Sequence, residues 1–326
     1  MIENHLGQAV EMVEMGELDR LEDFLYDFKE KYSLVSERVE VKWSLLMGHC
    51  KESKMEYERA ANNYTTVATA LENNPHLMPA ADLGEVYAHL GSCYFEMRQW
   101  NRGIAALTKA LNIFRGQKKY NDYAGCLINL GQLYLQTGYY SEAERCLLTA
   151  HCLRRGEGCD KKAKTNIVPI LLLLADCNLR LRNYKQAGSV LDDVSSIIEE
   201  AEYIDVLLLV GMHIRKAALA LSLGKLPVSE DNCQQALKLL SRHQVECREY
   251  AEVYELLGTI RLEEGALDRS KNYFEKAYKV VVKYEATDSP KIVVLKHRIE
   301  QLGEVLQPST SRSKNKNPTS LRSQPI

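Results

Sequence analysis

A pattern of small and large apolar residues recurs along the 326-residue chain about every 40 residues. Each copy contains a small residue, the anchor, and successive anchors lie 39 to 44 positions apart. A large apolar or aromatic residue follows nine positions after the anchor, and a mostly small residue twelve positions after it. Further residues, mostly apolar, follow sixteen and nineteen positions after the anchor. The anchors are Ala9, Gly48, Gly91, Gly131, Ala175, Ala217 and Gly258.

These spacings predict two amphipathic helices per copy, because offsets of three and four place side chains on one helix face. Around Gly131, the first helix carries Leu130 and Tyr134, and the second carries Ala143 and Leu147. The small residues at the anchor and at offset twelve are predicted to face each other, which lets two antiparallel helices approach closely. A glycine, whose left-handed conformation can close a helix, stands at offset seven in four copies: Gly16, Gly138, Gly224 and Gly265.

A single hairpin of this kind cannot bury its own apolar faces, so the copies must stack. The sequence therefore predicts an all-α solenoid, and the low counts of 8 Pro and 18 Gly fit few turns. We expect a degenerate N-terminal hairpin over 1–35 and six repeats over 36–286. A capping helix is expected over 287–306. The last segment, 307–326, is rich in Ser, Pro and basic residues and is expected to be a disordered tail.

The order of these residues resembles the tetratricopeptide repeat over roughly residues 5 to 283. The resemblance implies a right-handed superhelix of antiparallel helix hairpins whose first helices line a concave groove for partner peptides. The repeats exceed the minimal 34-residue unit, which is similar to kinesin light chains and Pins-type adaptors, although no GoLoco motif or coiled coil is present. The best-matching stretches are Tyr87-Leu90-Gly91-Tyr94, Leu127-Leu130-Gly131-Tyr134 and Tyr254-Leu257-Gly258.

The resemblance also implies which side chains face the groove. Amide side chains among them can pair with a peptide backbone as both donors and acceptors. The alternative for each is packing between helices. The predicted groove residues are His89, Ser92, Glu96, Asn129, Gln132, Gln136, Asp176, Arg180, Arg215, Glu252, Glu255 and Thr259.

The groove residues favour one kind of partner. The Lys/Asn/Arg clamp of chaperone-binding relatives is absent. The position equivalent to Asn129 in the next repeat is Leu173, where the clamp needs a polar residue. Acidic residues concentrate towards the C-terminal end of the groove: Glu252, Glu255, Glu263 and Glu264. We therefore expect a partner peptide or helix with apolar anchors and some basic residues.

The sequence points to no enzyme. It has no GxGxxG, GxxxxGK[ST] or GxSxG motif, and no CxxC, HxH or HExxH spacing, so no catalytic residue, cofactor or metal is predicted. Cys50, Cys93 and Cys177 each follow an anchor by two positions and are expected to pack in the core. His49 and His89 are expected either to contact a partner or to pack. Cys159 stands in a charged loop, where a redox role is the alternative to an inert thiol.

Composition narrows the remaining classes of function and location. The net charge of -2 combines a body of -6 with a tail of +4, which argues against nucleic-acid binding. The polar N-terminus and the short apolar runs predict a protein of the cytoplasm, or of the cytoplasm and nucleus, that is neither secreted nor membrane-bound. We expect a non-enzymatic scaffold or adaptor. The alternative is a structural subunit of a cytoskeletal, transport, ciliary or nuclear assembly that uses its convex face and loops.

Overall fold

The computed structural model describes residues 2–32, 36–155, 165–284 and 289–306. These residues form fifteen α-helices and no strand, so the predicted all-α class is confirmed. The chain divides into two compact units, Met1–Cys159 and Asp160–Ile326, each described separately below. The predicted tail and Cys159 lie outside the described residues.

Unit 1 is a stack of four helix hairpins, in which each odd-numbered helix packs against the helix that follows it. Odd-numbered helices are called first helices, and their partners second helices. Its helices are α1 (Ile2–Met15), α2 (Leu18–Lys31), α3 (Glu37–Ser53), α4 (Tyr57–Asn73), α5 (Ala80–Glu96), α6 (Trp100–Gln117), α7 (Tyr120–Thr137) and α8 (Tyr140–Arg155).

Unit 2 contains three hairpins and a final helix, α15, that packs against α14. Its first helices also touch one another in order, α9 against α11 and α11 against α13. Its helices are α9 (Val168–Arg180), α10 (Tyr184–Glu200), α11 (Val206–Ser222), α12 (Leu226–Arg242), α13 (Glu249–Glu263), α14 (Leu267–Tyr284) and α15 (Pro290–Leu306).

The anchor position explains why the hairpins close so tightly. A Cβ atom at Gly131 would lie 2.8 Å from Leu147, and one at Gly91 would lie 2.5 Å from Leu107, so the residue at offset sixteen fills the place of the missing side chain. The residue at offset twelve meets the anchor itself, as predicted: Ser229 donates a 2.8 Å hydrogen bond to the Ala217 carbonyl. Small residues at both positions therefore let the two helices of a hairpin touch.

All seven hairpins close with the same turn. The residue at offset seven has a positive φ in every copy, and the next N–H donates to the carbonyl five residues earlier, as in Tyr139 N to Tyr134 O at 2.9 Å. This is the Schellman arrangement that satisfies the last carbonyls of a helix. The four predicted glycines adopt it. The other three copies have Met55, Arg98 and Arg182 in the left-handed region, with φ of 58 to 60°.

Candidate functional site

The six predicted groove residues of unit 1 lie on two first helices. His89, Ser92 and Glu96 are on α5, and Asn129, Gln132 and Gln136 are on α7. Asn129 lies opposite Ser92, with its Nδ2 atom 3.5 Å from the Ser92 hydroxyl, at the long limit of a hydrogen bond. Glu96 and Gln136 are exposed, and the other four are half-buried.

The amide side chains of α7 are largely uncommitted. Within the described part of the chain, Gln132 and Gln136 have no side-chain hydrogen-bond partner, and Asn129 has only its long contact with Ser92. Half-buried apolar side chains accompany them, including Phe95 on α5 and Ile128 on α7. Polar groups with spare donors and acceptors beside apolar surface are suited to holding an extended or helical peptide.

His89 belongs instead to a polar cluster contributed by α3, α4 and α5. Its Nδ1 atom is 2.8 Å from Glu52 Oε2, and the Tyr64 hydroxyl donates to the same oxygen at 2.6 Å. His49 Nδ1 is 3.0 Å from the Tyr64 hydroxyl. The rings also pack together, His49 against His89 edge to face at 4.6 Å and Tyr64 stacked on His89 at 5.2 Å.

The surroundings set the protonation of this cluster. Burial, followed by the repulsion of a positive charge on His89, lowers the pKa of His49 to about 4, so its ring is neutral at neutral pH. Burial raises the pKa of the Tyr64 hydroxyl, which stays protonated. Burial opposes ionisation of Glu52, but hydrogen bonds from His89 and Tyr64 lower its pKa overall. Glu52 is therefore a carboxylate that accepts hydrogen bonds from His89 and Tyr64.

In unit 2, two of the predicted contact residues bind each other. Arg215 on α11 donates to Asp176 Oδ2 on α9 from Nη2 at 2.7 Å and from Nε at 3.2 Å. Burial opposes the charge on Arg215, but Asp176 and Glu252 raise its pKa. The Asp176 and Arg215 side chains are only 29% and 19% exposed. They stabilise the contact between adjacent first helices and are not independent contact points.

The acidic end predicted for the groove is partly neutralised by the chain itself. Glu255 pairs with Lys291 of α15 at 2.9 Å, and its pKa is raised by burial against the influence of that lysine. Glu264 pairs with Arg261 at 2.6 Å. Glu252 and Thr259 are half-buried on α13, where the Thr259 hydroxyl donates to the Glu255 carbonyl. Arg180 lies exposed at the end of α9.

Sequence reasoning missed Glu52, Tyr64 and Lys291 as members of these polar groups. One signal was available, because His49 and Glu52 are three positions apart and share a helix face. A second was the repeat itself. Contacts between neighbouring hairpins join residues about one repeat apart, as with Glu52 and His89, which are 37 positions apart.

The cysteines behave as predicted within the described residues. Cys50, Cys93 and Cys177 are fully buried. Burial raises the pKa of Cys93 to about 12, so it is an unreactive thiol at neutral pH. Cys152 is the exposed cysteine among those described.

A separate cleft in unit 1 lies between α6, α7 and α8, so two second helices and one first helix line it. Its volume is about 330 Å³, and its lining includes Asn112, Arg115, Tyr123 and Arg145. Tyr134 and Cys146 also line it. It is the kind of surface that a protein using its second helices for binding would present. No described helix is long and apolar enough to cross a membrane.

Comparison with models of protein families gave matches in both units to one kind of repeat. Models of the tetratricopeptide repeat match residues 82–154 in unit 1 and residues 251–280 in unit 2. A search of curated protein sequences found no match.

Solved structures show the same fold along most of the chain. A tetratricopeptide repeat protein from Parabacteroides merdae is 17% identical, with 93% of this chain and 98% of that chain covered and a TM-score of 0.62. RapI in its apo form is 12% identical, with 92% and 99% covered and a TM-score of 0.67. A Rap protein complexed with Competence and Sporulation Factor is 12% identical, with 94% and 87% covered and a TM-score of 0.60. The two stretches match the tetratricopeptide repeat, and the chain has the fold of tetratricopeptide-repeat proteins.

Proposed function

We propose that the chain is a non-enzymatic scaffold or adaptor that binds a peptide or helical segment of a partner protein on its first helices. The observation that carries this proposal is the set of uncommitted amides on α7. Buried or half-buried polar groups normally have hydrogen-bond partners. The half-buried Asn129 and Gln132 lack strong partners within the described chain, and a bound backbone would supply them.

The surroundings of these amides define the partner. The half-buried Phe95 and Ile128 offer contacts to apolar side chains, and the exposed Glu96 favours a basic residue nearby. The fold supports the same role, because a structurally similar Rap protein is complexed with Competence and Sporulation Factor. We propose that the main contacts with the partner lie in unit 1, where the α7 amides are uncommitted. Asp176 and Arg215 bind each other, so we propose that they shape the surface of unit 2 and do not hydrogen-bond the partner.

The test is a pair of double variants of the full chain, each used to recover partners from cells. Asn129→Ala with Gln132→Ala removes the amides, and we expect partner recovery to fall at least about tenfold, since lost hydrogen bonds in a desolvated contact cost about 1–2 kcal/mol each. The matched control, Asn112→Ala with Arg115→Ala, changes two α6 side chains that line the cleft and leaves α7 unchanged. Circular dichroism establishes that both variants fold like the parent.

The control also tests the alternative function, a structural subunit that uses its second helices and loops. The cleft of α6, α7 and α8 is the observation that favours it. Loss of partners only in the Asn112/Arg115 variant would support that alternative and refute binding on the first helices. Partner recovery equal to that of the parent in both variants would refute binding at either surface. The native mass of the complex then distinguishes a small adaptor complex from a large assembly.

A further inference from the structure

Three side chains from two neighbouring hairpins converge in unit 1. His49 and Glu52 come from α3, and His89 comes from α5. One potential ligand atom of each, a ring nitrogen or a carboxylate oxygen, lies within 4.8 Å of the other two. The sequence spacing predicts no metal site, because no local motif joins these residues. The fold brings them together across one repeat.

The hydrogen bonds of the cluster assign its protons. Tyr64 gives its only proton to Glu52, so its oxygen must accept from His49 Nδ1–H. His89 likewise donates from Nδ1 to Glu52. In a neutral imidazole one ring nitrogen carries a lone pair that can bind a metal ion. The cluster therefore holds two imidazole lone pairs and one carboxylate, oriented by the Tyr64 hydroxyl.

The charge of the cluster also suits a cation. Glu52 carries a negative charge in a half-buried position, and among the described residues no lysine or arginine pairs with it. The nearest lysine in sequence, Lys51, pairs with Glu22 and Glu56 instead. The side chains of His89 and Glu52 are 36% and 23% exposed, which leaves a route for an ion.

We infer that His49, Glu52 and His89 form a binding site for a divalent transition-metal cation, with Zn²⁺ the best fit. Two imidazole nitrogens and one carboxylate oxygen form a known zinc donor set that leaves a fourth position open. Ca²⁺ and Mg²⁺ prefer oxygen ligands alone and fit poorly. Zinc ligands bonded at about 2.1 Å lie roughly 3.4 Å apart. Side-chain rotations bring the three residues to that spacing, and Tyr64 remains in the outer shell as an orienting group.

The experiment titrates the purified full chain with Zn²⁺ by calorimetry and with Co²⁺ by visible absorption. We expect one site per chain, the visible bands of a four-coordinate cobalt ion, and no sulfur-to-cobalt charge-transfer band. The ligand variants are His49→Gln, Glu52→Gln and His89→Gln, each expected to weaken binding by at least about 100-fold. Tyr64→Phe removes only the hydroxyl and is expected to weaken binding by about 10-fold.

The matched control is His213→Gln in unit 2, which removes a half-buried imidazole that also makes a hydrogen bond, to Asn232 at 3.0 Å. It should bind zinc like the parent. His89→Gln is the decisive variant, because its partly exposed side chain is the least needed for folding. Absence of a one-to-one site in the parent, unchanged affinity in His89→Gln, equal loss in His213→Gln, or a sulfur charge-transfer band would each overturn the assignment. Because the probe is the metal alone, the result is independent of the proposed partner binding.

Discussion

The two units use the same hairpin but treat the polar residues of their first helices differently. In unit 1, the amides of α7 keep their hydrogen-bonding capacity, and His49, His89 and Glu52 form a compact cluster. In unit 2, Asp176 binds Arg215 and Glu255 binds Lys291, so charges predicted to meet a partner are bound within the chain. Equivalent repeat positions thus hold uncommitted amides in unit 1 and an ion pair between neighbouring hairpins in unit 2.

The units also differ at the anchor. Three of the four anchors in unit 1 are glycines that admit Tyr64, Leu107 or Leu147 into the space above the backbone. In unit 2, two of the three anchors are alanines, Ala175 and Ala217, which face Leu191 and the small Cys233. At the glycine anchors the residue at offset sixteen occupies the volume that an anchor side chain would fill, so the pair shares one volume.

The largest expected effect breaks that pairing in unit 1. Gly131→Leu places a side chain where Leu147 already lies 2.8 Å from the position of a Cβ, so we expect the free energy of unfolding to fall by about 3 kcal/mol or more. The control is Gly125→Ala in the same helix, where a Cβ meets nothing within 4 Å. It should gain about 0.5–1 kcal/mol from helix propensity. Urea unfolding and amide exchange of α7 and α8 measure both, and equal effects would disprove the shared-volume account.

A smaller effect is expected from breaking the ion pair of unit 2. Arg215→Met keeps the apolar stem but leaves Asp176 half-buried without its partner, which should lower the free energy of unfolding by about 1–3 kcal/mol. Adding Asp176→Asn should recover part of that loss, because the uncompensated charge is removed. The measurement is a double-mutant cycle by urea unfolding. Strict additivity of the two changes would show that the pair does not hold α9 to α11.

The fold could be predicted from the sequence because each recurring position of the repeat corresponds to a specific packing contact or turn. Anchor, offset twelve and offset seven each have a local physical role, in close approach or in the left-handed turn, and the structure confirms them. The polar cluster was harder, since His49, Glu52 and His89 have no distinctive spacing along the chain. Their proximity depends on the stacking of two hairpins. Residues 37 to 39 positions apart meet in several such contacts, including Asn129 with Ser92 and Arg215 with Asp176.

The smallest expected effect concerns a feature that the two units share, the left-handed turn that closes each hairpin. Met55 in unit 1 and Arg182 in unit 2 stand where four other hairpins have glycine, and a side chain in this conformation is strained. Met55→Gly and Arg182→Gly should each raise the free energy of unfolding by about 0.5–1 kcal/mol, since the relief of strain exceeds the added entropy of the unfolded chain. The reverse change, Gly224→Ala, should lower it by about 1 kcal/mol. Equal gains in the free energy of unfolding for the Met55 and Arg182 variants would show that the turn is equivalent in both units. The units would then differ in their surfaces and anchors and not in how the hairpins close. A loss at either position would mean that the side chain itself stabilises that turn.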